Sequence, residues 1–192
     1  MDKLIEIRWH GRGGQGAKTA ALLLADAAFQ SGKYVQGFPE YGSERMGAPI
    51  TAYTRISNEK ISLHCNIDEP DYVVVVDDSL LSCVDVCSGM HEEGNLIVNS
   101  EKNAHELRRF VPAYHGKIYT VDARRISMDT LGNYFPNVPM LGAMVKICGI
   151  FDEKQFLQDI RASFAHKFAR KPALIEGNMQ ALQRAMQEVQ SA

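Results

Sequence analysis

The sequence predicts an α/β fold built on a mixed, mostly parallel open sheet with a helical C-terminal layer. Three observations support this class: a strand pattern that runs through glycines into a helix pattern, a four-valine run at Val73–Val76, and three helix-like segments near the end. The chain has 192 residues and 45% of them are hydrophobic, which is enough for one sizeable core. We therefore expect residues 1–192 to form a single domain.

The first half begins with a strand, a helix and a second strand. Residues Leu4–Trp9 alternate between apolar and polar, residues 17–29 are strong helix formers with no breaker before Gly32, and residues 34–36 return as a short strand. This order predicts a Rossmann-like first βαβ unit with parallel strands. Residues 48–63 predict a strand, a turn and a second short strand, which we expect to form a hairpin at the sheet edge.

The second half continues the sheet and then becomes helical. The run Val73–Val76 is apolar on both faces, as a central parallel strand should be. The pattern predicts a helix over residues 79–87 and two more strands over residues 96–98 and 118–121. The C-terminal helices are predicted over 138–150, 153–168 and 172–190. The middle one carries an apolar side chain at every fourth position, at Phe156, Ile160, Phe164 and Phe168.

Charge and hydropathy exclude two classes of partner. The formal net charge is −2, so the whole chain has no field that would gather nucleic acid. Residues 1–100 hold 8 basic and 14 acidic side chains and residues 101–192 hold 13 and 9, and the basic excess is either solvated helix surface or a partner contact. No apolar run reaches membrane-spanning length and the start lacks a signal-peptide pattern, which predicts a cytoplasmic protein without a membrane partner.

The four cysteines are dispersed along the chain. Zinc ribbons and iron–sulfur clusters draw their ligands from tight pairs or runs of cysteines. We therefore expect no metal centre in this chain, and buried thiols in a reducing compartment. The cysteines are Cys65, Cys83, Cys87 and Cys148.

The segment Gly11–Gly16 fits the pattern G-x-G-x-x-G and lies after a strand and before a helix. Glycines there permit positive φ angles, and the free amides at the positive end of the helix favour an anion such as a phosphate or a carboxylate. The alternative is that the glycines only form a tight turn and let the helix pack closely on the sheet.

Two nucleotide motifs fit poorly. A dinucleotide site should show an acidic residue about 20 positions further on, but the second strand ends in Val35-Gln36-Gly37. A P-loop ending at Lys18-Thr19 would need glycines at positions 12 and 17, where the chain has Arg12 and Ala17. Both an NAD site and ATP hydrolysis are therefore disfavoured, although Asp77 follows the valine run as a magnesium ligand would.

A second segment, Gly37–Pro49, holds three glycines, two prolines and two aromatic residues and predicts an irregular loop beside the glycine loop. Together with Trp9–Ala17, it resembles the gamma subunits of 2-oxoacid:ferredoxin oxidoreductases, particularly the pyruvate type. Asp71–Leu80 resembles that family's central strand, and Asn137–Ala143 resembles the start of its late helical region. The resemblance covers nearly the whole chain.

The resemblance implies a subunit of a multi-chain enzyme that converts a 2-oxoacid and coenzyme A to acyl-CoA and CO2 and reduces ferredoxin. In such complexes thiamine diphosphate and Mg²⁺ lie between alpha and beta subunits, and a delta subunit carries [4Fe-4S] clusters. The gamma chain assists assembly and receives coenzyme A as co-substrate, binds no cofactor alone, and has no catalytic or metal-binding residues, so we expect the isolated chain to be inactive. Alternatives are a related complex acting on 2-oxoisovalerate, 2-oxoglutarate or phenylglyoxylate, or a free-standing nucleotide-binding protein.

If coenzyme A is the ligand, its phosphates need amide donors and cations. We expect the backbone of the glycine loop to approach a phosphate, a nearby cation to supply charge, and an aromatic ring to stack on adenine or to contact a partner. The alternative is that the loop only shapes a subunit interface. The predicted binding residues are Gly11, Arg12, Gly13, Gly14, Gln15, Gly16, Lys18, Tyr41 and Arg45.

Overall fold

The computed structural model of the chain describes residues 4–40 and 46–191, and all elements below lie within them. The strands are β1 (Ile5–Arg12), β2 (Tyr34–Pro39), β3 (Pro49–Ser57), β4 (Tyr72–Val75), β5 (Asn95–Asn99), β6 (Lys117–Val121) and β7 (Gln190–Ser191). The helices are α1 (Ala17–Gln30), α2 (Ala104–Arg108), α3 (Ala123–Leu131), α4 (Asn137–Cys148), α5 (Glu153–Lys167) and α6 (Ala173–Glu188).

The described strands form one open sheet in the order β2-β3-β1-β4-β5-β6-β7. Strands β1, β4, β5 and β6 pair in parallel, whereas β3 is antiparallel to both β1 and β2, and β7 is antiparallel to β6. Most of these strands, β2 included, therefore run in one direction, and β3 and β7 run in the other. The predicted mixed, mostly parallel open sheet with a helical C-terminal layer is confirmed, and β4 lies at its centre as the valine run indicated.

The first βαβ unit is split by a strand that the sequence pattern had placed at the edge. Strands β1 and β2 run in the same direction and α1 connects them, but β3 lies between the two and pairs with both. The predicted edge hairpin over residues 48–63 is therefore wrong, because β3 is internal and residues 58–63 form no strand. The internal position of β3 is stabilised by burial of its residues 52–57. Within it, Thr54 Oγ1 accepts a hydrogen bond from Trp9 Nε1 on β1 and donates one to the Ala21 carbonyl on α1.

The two faces of the sheet are covered differently. Val74 and Val76 point into a core shared with α1 and the C-terminal helices, whereas Val73 and Val75 face a second core under the loops and α2. Alternate side chains of a strand point to opposite faces, which is why both sets are buried. The predicted helix over 79–87 is only a 3-10 turn at Asp78–Ser82, consistent with the weak helix propensity of the serine, cysteine and aspartate residues that follow.

The three predicted C-terminal helices are present as α4, α5 and α6. Phe156, Ile160 and Phe164 are fully buried, so the apolar stripe is the packing face of α5. Helix α4 lies so close to α6 that a β-carbon on Gly142 would clash with the Leu182 carbonyl oxygen. No helix within the described ranges is long and apolar enough to span a membrane.

Two short helices, α2 and α3, were not predicted, and two of the four cysteines differ from expectation. Asn103 and Glu106 form a capping box at the start of α2, and the Asp122 side chain caps α3.

The prediction of buried thiols is wrong for two cysteines, which lie in irregular surface segments. Cys65 and Cys83 are exposed, whereas Cys87 and Cys148 are partly buried.

Candidate functional site

The glycine loop connects β1 to α1 as predicted, and its glycines are needed for both conformation and packing. Strand β1 continues to Arg12, so the turn itself is short. Gly14 and Gly16 have φ angles of 94° and 81°, where side chains are strained. A β-carbon on Gly11 would lie 2.8 Å from the Ala17 Cβ, which shows how closely the helix packs on the strand.

The start of α1 presents amides without a side-chain cap. Gly16 is the N-cap residue, it offers no side chain to accept a hydrogen bond, and the first turn contains no acidic residue. Within residues 4–40 and 46–191 the amides of Gly14 and Gly16 have no hydrogen-bond partner. The amides of Gly13 and Gln15 are already used, the first by the Ala48 carbonyl at 2.9 Å and the second by the Arg12 carbonyl at 3.0 Å. Of the four amides from Gly13 to Gly16, those of Gly14 and Gly16 are therefore the two without a partner among the described residues.

The second predicted loop does meet the glycine loop. The Gly47 amide donates to the Gly13 carbonyl at 3.1 Å, and the Gly13 amide donates back to Ala48. Residues Gly37 to Pro39, which were expected in the loop, belong to β2 instead, because they pair with β3. The predicted site residues Tyr41 and Arg45 lie outside the described residues.

A cavity of ≈ 400 Å³ opens beside the glycine loop. Lys18 is exposed on the first turn of α1, and its ammonium group adds positive charge to the uncapped helix end. Met46 forms part of the cavity wall and is 89% exposed. This combination of amides, a helix N-terminus and a lysine is suited to an anionic group. The cavity is lined by Gly13, Gly14, Gly16, Lys18, Thr19, Met46 and Ile50.

Arg12, which was predicted as a ligand cation, is engaged within the protein. Its Nη2 donates to the Ser79 hydroxyl at 2.9 Å, its Nη1 donates to the Gly47 carbonyl at 3.1 Å, and its Nε lies 3.5 Å from the Asp77 carboxylate. Burial raises the pKa of Asp77, but hydrogen bonds from Ser79 and Gln15 and the Arg12 charge outweigh burial and hold that pKa below its ordinary value. Arg12 therefore links the glycine loop to the loop that contains Gly47 and to the segment after β4 that contains Asp77 and Ser79.

A second cavity, of ≈ 740 Å³, is lined by Gln15 and by residues near the carboxyl ends of β4, β5 and β6. Asp78 accepts hydrogen bonds there from the Ser100 hydroxyl at 2.8 Å and from Lys102 Nζ at 3.1 Å. Most residues of this cavity were not predicted as site residues. Several of them follow the parallel strands closely, and this was the available signal, because such loops line the crevice of α/β sheets. Besides Gln15 and Asp77, the lining residues are Asp78, Asn99, Ser100, Glu101, Lys102, Asp122, Arg124, Met128 and Tyr134.

His10 flanks the glycine loop but is a buried structural group. Its Nε2 accepts a hydrogen bond from Arg8 Nε at 3.2 Å, and only 7% of the residue is exposed. Burial and the neighbouring Arg8 charge lower the pKa of His10 to about 3, so the imidazole is neutral at physiological pH. Within the described residues no group of three or more histidine, cysteine or acidic side chains could hold a metal ion.

Comparison with known proteins gives consistent matches over almost the full chain. The family model described as pyruvate ferredoxin/flavodoxin oxidoreductase matches residues 6–188. The pyruvate synthase subunit PorC of Thermotoga maritima is 44% identical over 187 residues, which is 97% of this chain and 95% of that protein. The pyruvate/ketoisovalerate oxidoreductases common subunit gamma of Pyrococcus furiosus is 46% identical over 170 residues, or 88% of this chain and 92% of that protein.

A solved structure agrees with this similarity. The crystal structure of the pyruvate oxidoreductase subunit PORC from Thermotoga maritima superposes with a TM-score of 0.87 at 42% identity. The alignment covers 99% of each chain. The described fold is thus shared along the whole length of that protein.

Proposed function

The chain belongs to the pyruvate ferredoxin/flavodoxin oxidoreductase family, and we propose that it works as the gamma subunit of a pyruvate-type 2-oxoacid:ferredoxin oxidoreductase. Similarity to PorC over 97% of the chain supports the assignment. The proposed partners are alpha, beta and delta subunits, with ferredoxin as the electron acceptor of the complex. Thiamine diphosphate, Mg²⁺ and [4Fe-4S] clusters would be held by those partners, in the cytoplasm.

The cavity beside the glycine loop is proposed to hold a phosphate of coenzyme A. The observation that carries this proposal is that Gly14, Gly16 and the exposed Lys18 line one cavity at the uncapped start of α1, where the two glycine amides have no partner among the described residues. Coenzyme A carries a pyrophosphate and a 3′-phosphate, which are anions of the kind that helix N-termini and amides bind. The Arg12 guanidinium is hydrogen-bonded to Gly47 and Ser79, so in this proposal it stabilises the loop and is not the cation that binds the phosphate.

The role proposed for the site is binding and orientation. Its lining consists of backbone amides, one lysine, one threonine and apolar side chains. Bond breaking in the 2-oxoacid would occur on thiamine diphosphate in the partner chains, and this chain would hold the co-substrate that takes up the acyl group. Fixing a co-substrate lowers the entropic cost of the reaction that follows.

A role in assembly is proposed for the same region. Met46 is almost fully exposed next to the cavity, and an exposed methionine is an adaptable apolar contact for another protein. Burying such a side chain against a partner stabilises a complex by about 1.5–3 kcal/mol. A partner that covers Met46 would also close the cavity and exclude water from the bound phosphate.

The test of coenzyme A binding is a charge reversal at Lys18 in the assembled complex. We expect Lys18→Glu to raise the KM for coenzyme A by on the order of tenfold, with kcat unchanged at saturating coenzyme A. Lys154→Glu, an exposed site on α5, is the matched control and should leave KM unchanged. An unaltered KM in the Lys18 variant would remove the cavity from the coenzyme A site.

A second 2-oxoacid is also a candidate substrate of the complex. The Pyrococcus furiosus relative is named as a common subunit of pyruvate and ketoisovalerate oxidoreductases, and it is 46% identical to this chain. A gamma chain that binds only coenzyme A would not contact the side chain of the oxoacid. The same chain could therefore assemble with the other subunits of either oxidoreductase. Acceptor reduction by purified complexes with pyruvate, 2-oxoisovalerate, 2-oxoglutarate and phenylglyoxylate, with and without coenzyme A, distinguishes the cases.

A further inference from the structure

Asp77 lies two residues beyond the end of β4 and contacts Gln15 of the glycine loop, 62 positions away in the sequence. We propose that Asp77 is a positioning residue for the anion site: its carboxylate orients the Gln15 side chain, and Gln15 in turn holds the glycine loop in its binding conformation. This inference rests on the proposed function, because it assigns Asp77 and Gln15 roles in the same site.

The contacts form a continuous relay. Gln15 Nε2 donates to Asp77 Oδ2 at 2.5 Å, and Gln15 Oε1 accepts the backbone amide of Arg12 at 2.9 Å. The other carboxylate oxygen, Asp77 Oδ1, accepts from the Ser79 amide at 3.0 Å and from the Ser79 hydroxyl at 2.6 Å. Both oxygens of the carboxylate are therefore occupied, and the Gln15 side chain is fixed at both ends.

The relay has only one possible polarity. An ionised carboxylate accepts hydrogen bonds and cannot donate them, whereas an amide side chain has one donating and one accepting end. Asp77 therefore turns the NH2 group of Gln15 toward itself, and this places Oε1 opposite the Arg12 amide. A reversed Gln15 would put two donors against each other at Arg12 and would leave that amide without its acceptor.

The relay acts on the part of the loop whose Gly14 and Gly16 amides have no partner within the part of the chain that the structure describes. Arg12 enters the turn, its carbonyl accepts the Gln15 amide, and Gly14 lies between the two with a φ of 94°. Holding both Arg12 and Gln15 holds the turn that contains Gly14 and leads into Gly16, and both glycines line the cavity. Pre-organised donors bind an anion more tightly than donors that must be ordered on binding.

An exchange of donor and acceptor tests this directly. In Asp77→Asn, an asparagine that still accepts from Ser79 faces Gln15 with an NH2 group, so donor meets donor. In Gln15→Glu, two carboxylates face each other. In the double variant Asp77→Asn/Gln15→Glu, the NH2 group introduced at position 77 can donate to the carboxylate introduced at position 15, whose second oxygen can accept the Arg12 amide. The double variant keeps the net charge of the pair.

The variants are compared in the assembled complex by amide hydrogen exchange across residues 11–16 and by the KM for coenzyme A. Each single variant should accelerate exchange and raise KM by on the order of tenfold, the scale expected for one charge-assisted hydrogen bond. The double variant should restore both to within about twofold. Asp78→Asn, which alters the neighbouring carboxylate outside the relay, should change neither.

Absence of rescue in the double variant, including failure of that variant to assemble, overturns the inference. The two single variants change the charge in opposite directions, so a defect shared by both and cured in the double variant cannot come from charge alone. If the exchange data follow the predicted pattern while KM stays constant in all variants, the relay holds the loop but the loop does not bind coenzyme A. That result would contradict the proposed function separately.

Discussion

Gly16 and Asn137 touch at the point where the first and fourth helices begin. Gly16 is the N-cap of α1 and Asn137 is the first residue of α4, and a β-carbon on Gly16 would lie 2.9 Å from Asn137 Cγ. The C-terminal helical layer therefore braces the glycine loop directly. Two segments that are separate motifs in the sequence form one contact in the folded chain.

Gly16→Ala should destabilise the chain by more than a left-handed backbone alone would. At a φ of 81° an alanine is strained by about 1–3 kcal/mol, and its methyl group would also push against Asn137. Gly132→Ala is the matched control, because Gly132 has a φ of 66° and no atom within 4 Å of an added β-carbon. Urea unfolding should give a larger loss of unfolding free energy for position 16, and equal losses would show that the contact with Asn137 is unimportant.

Thr54→Val should weaken the junction of β1, β3 and α1. The change leaves Trp9 Nε1 and the Ala21 carbonyl without their buried partner, which costs about 1–3 kcal/mol. Thr54→Ser keeps the hydroxyl group and should retain more of the stability. The two variants are compared by chemical denaturation, and a valine variant as stable as the wild type would show that these hydrogen bonds do not hold β3 inside the sheet.

His10 should make the chain lose stability in acid. Because the pKa of His10 is lowered from 6.5 to about 3, the unfolded chain binds a proton below pH 6.5 that the folded chain does not. The unfolding free energy should therefore fall between pH 6.5 and pH 3, by up to about 1.4 kcal/mol per pH unit from this residue. His10→Gln should remove that part of the slope, and His64→Gln, at an exposed position, should not. Identical pH profiles for the His10 variant and the wild type would sink the prediction.

Arg12 and Lys18 should separate structural support from ligand binding. Arg12→Ala removes the contacts to Ser79, Gly47 and Asp77, so we expect a lower midpoint of thermal unfolding together with a higher KM for coenzyme A. Lys18→Ala removes an exposed charge, so we expect a higher KM with an unchanged midpoint. Calorimetry of the chain and kinetics of the complex check this division, and a normal midpoint for the Arg12 variant would count against its structural role.

Much of the fold was readable from local pattern. Periodicity and helix formers located β1, α1 and the C-terminal helices, and the valine run identified the central strand. The position of β3 was not readable, since alternation of side chains reports which faces of a strand are buried and not which strands lie beside it. Helices α2 and α3 are too short for a clear apolar period, although Asn103, Glu106 and Asp122 signalled their starts.

The candidate site was predictable only in outline. The order of strand, glycines and helix predicted an anion site, and the adjacency of the second loop followed from strand topology. The use of the Gly13 amide in an internal hydrogen bond could not be predicted, because its acceptor is the carbonyl of Ala48 in another loop. The engagement of Arg12 by Ser79 and Asp77 depends likewise on residues more than 60 positions away, which no local pattern reports.

The most direct measurement is a structure of the assembled complex with coenzyme A bound. We expect a phosphate oxygen within hydrogen-bonding distance, about 2.7–3.2 Å, of the Gly14 or Gly16 amide, with Lys18 nearby. Coenzyme A bound with all of its phosphates held by other subunits, and the cavity beside the glycine loop filled by a partner's side chain, would contradict the proposed binding site.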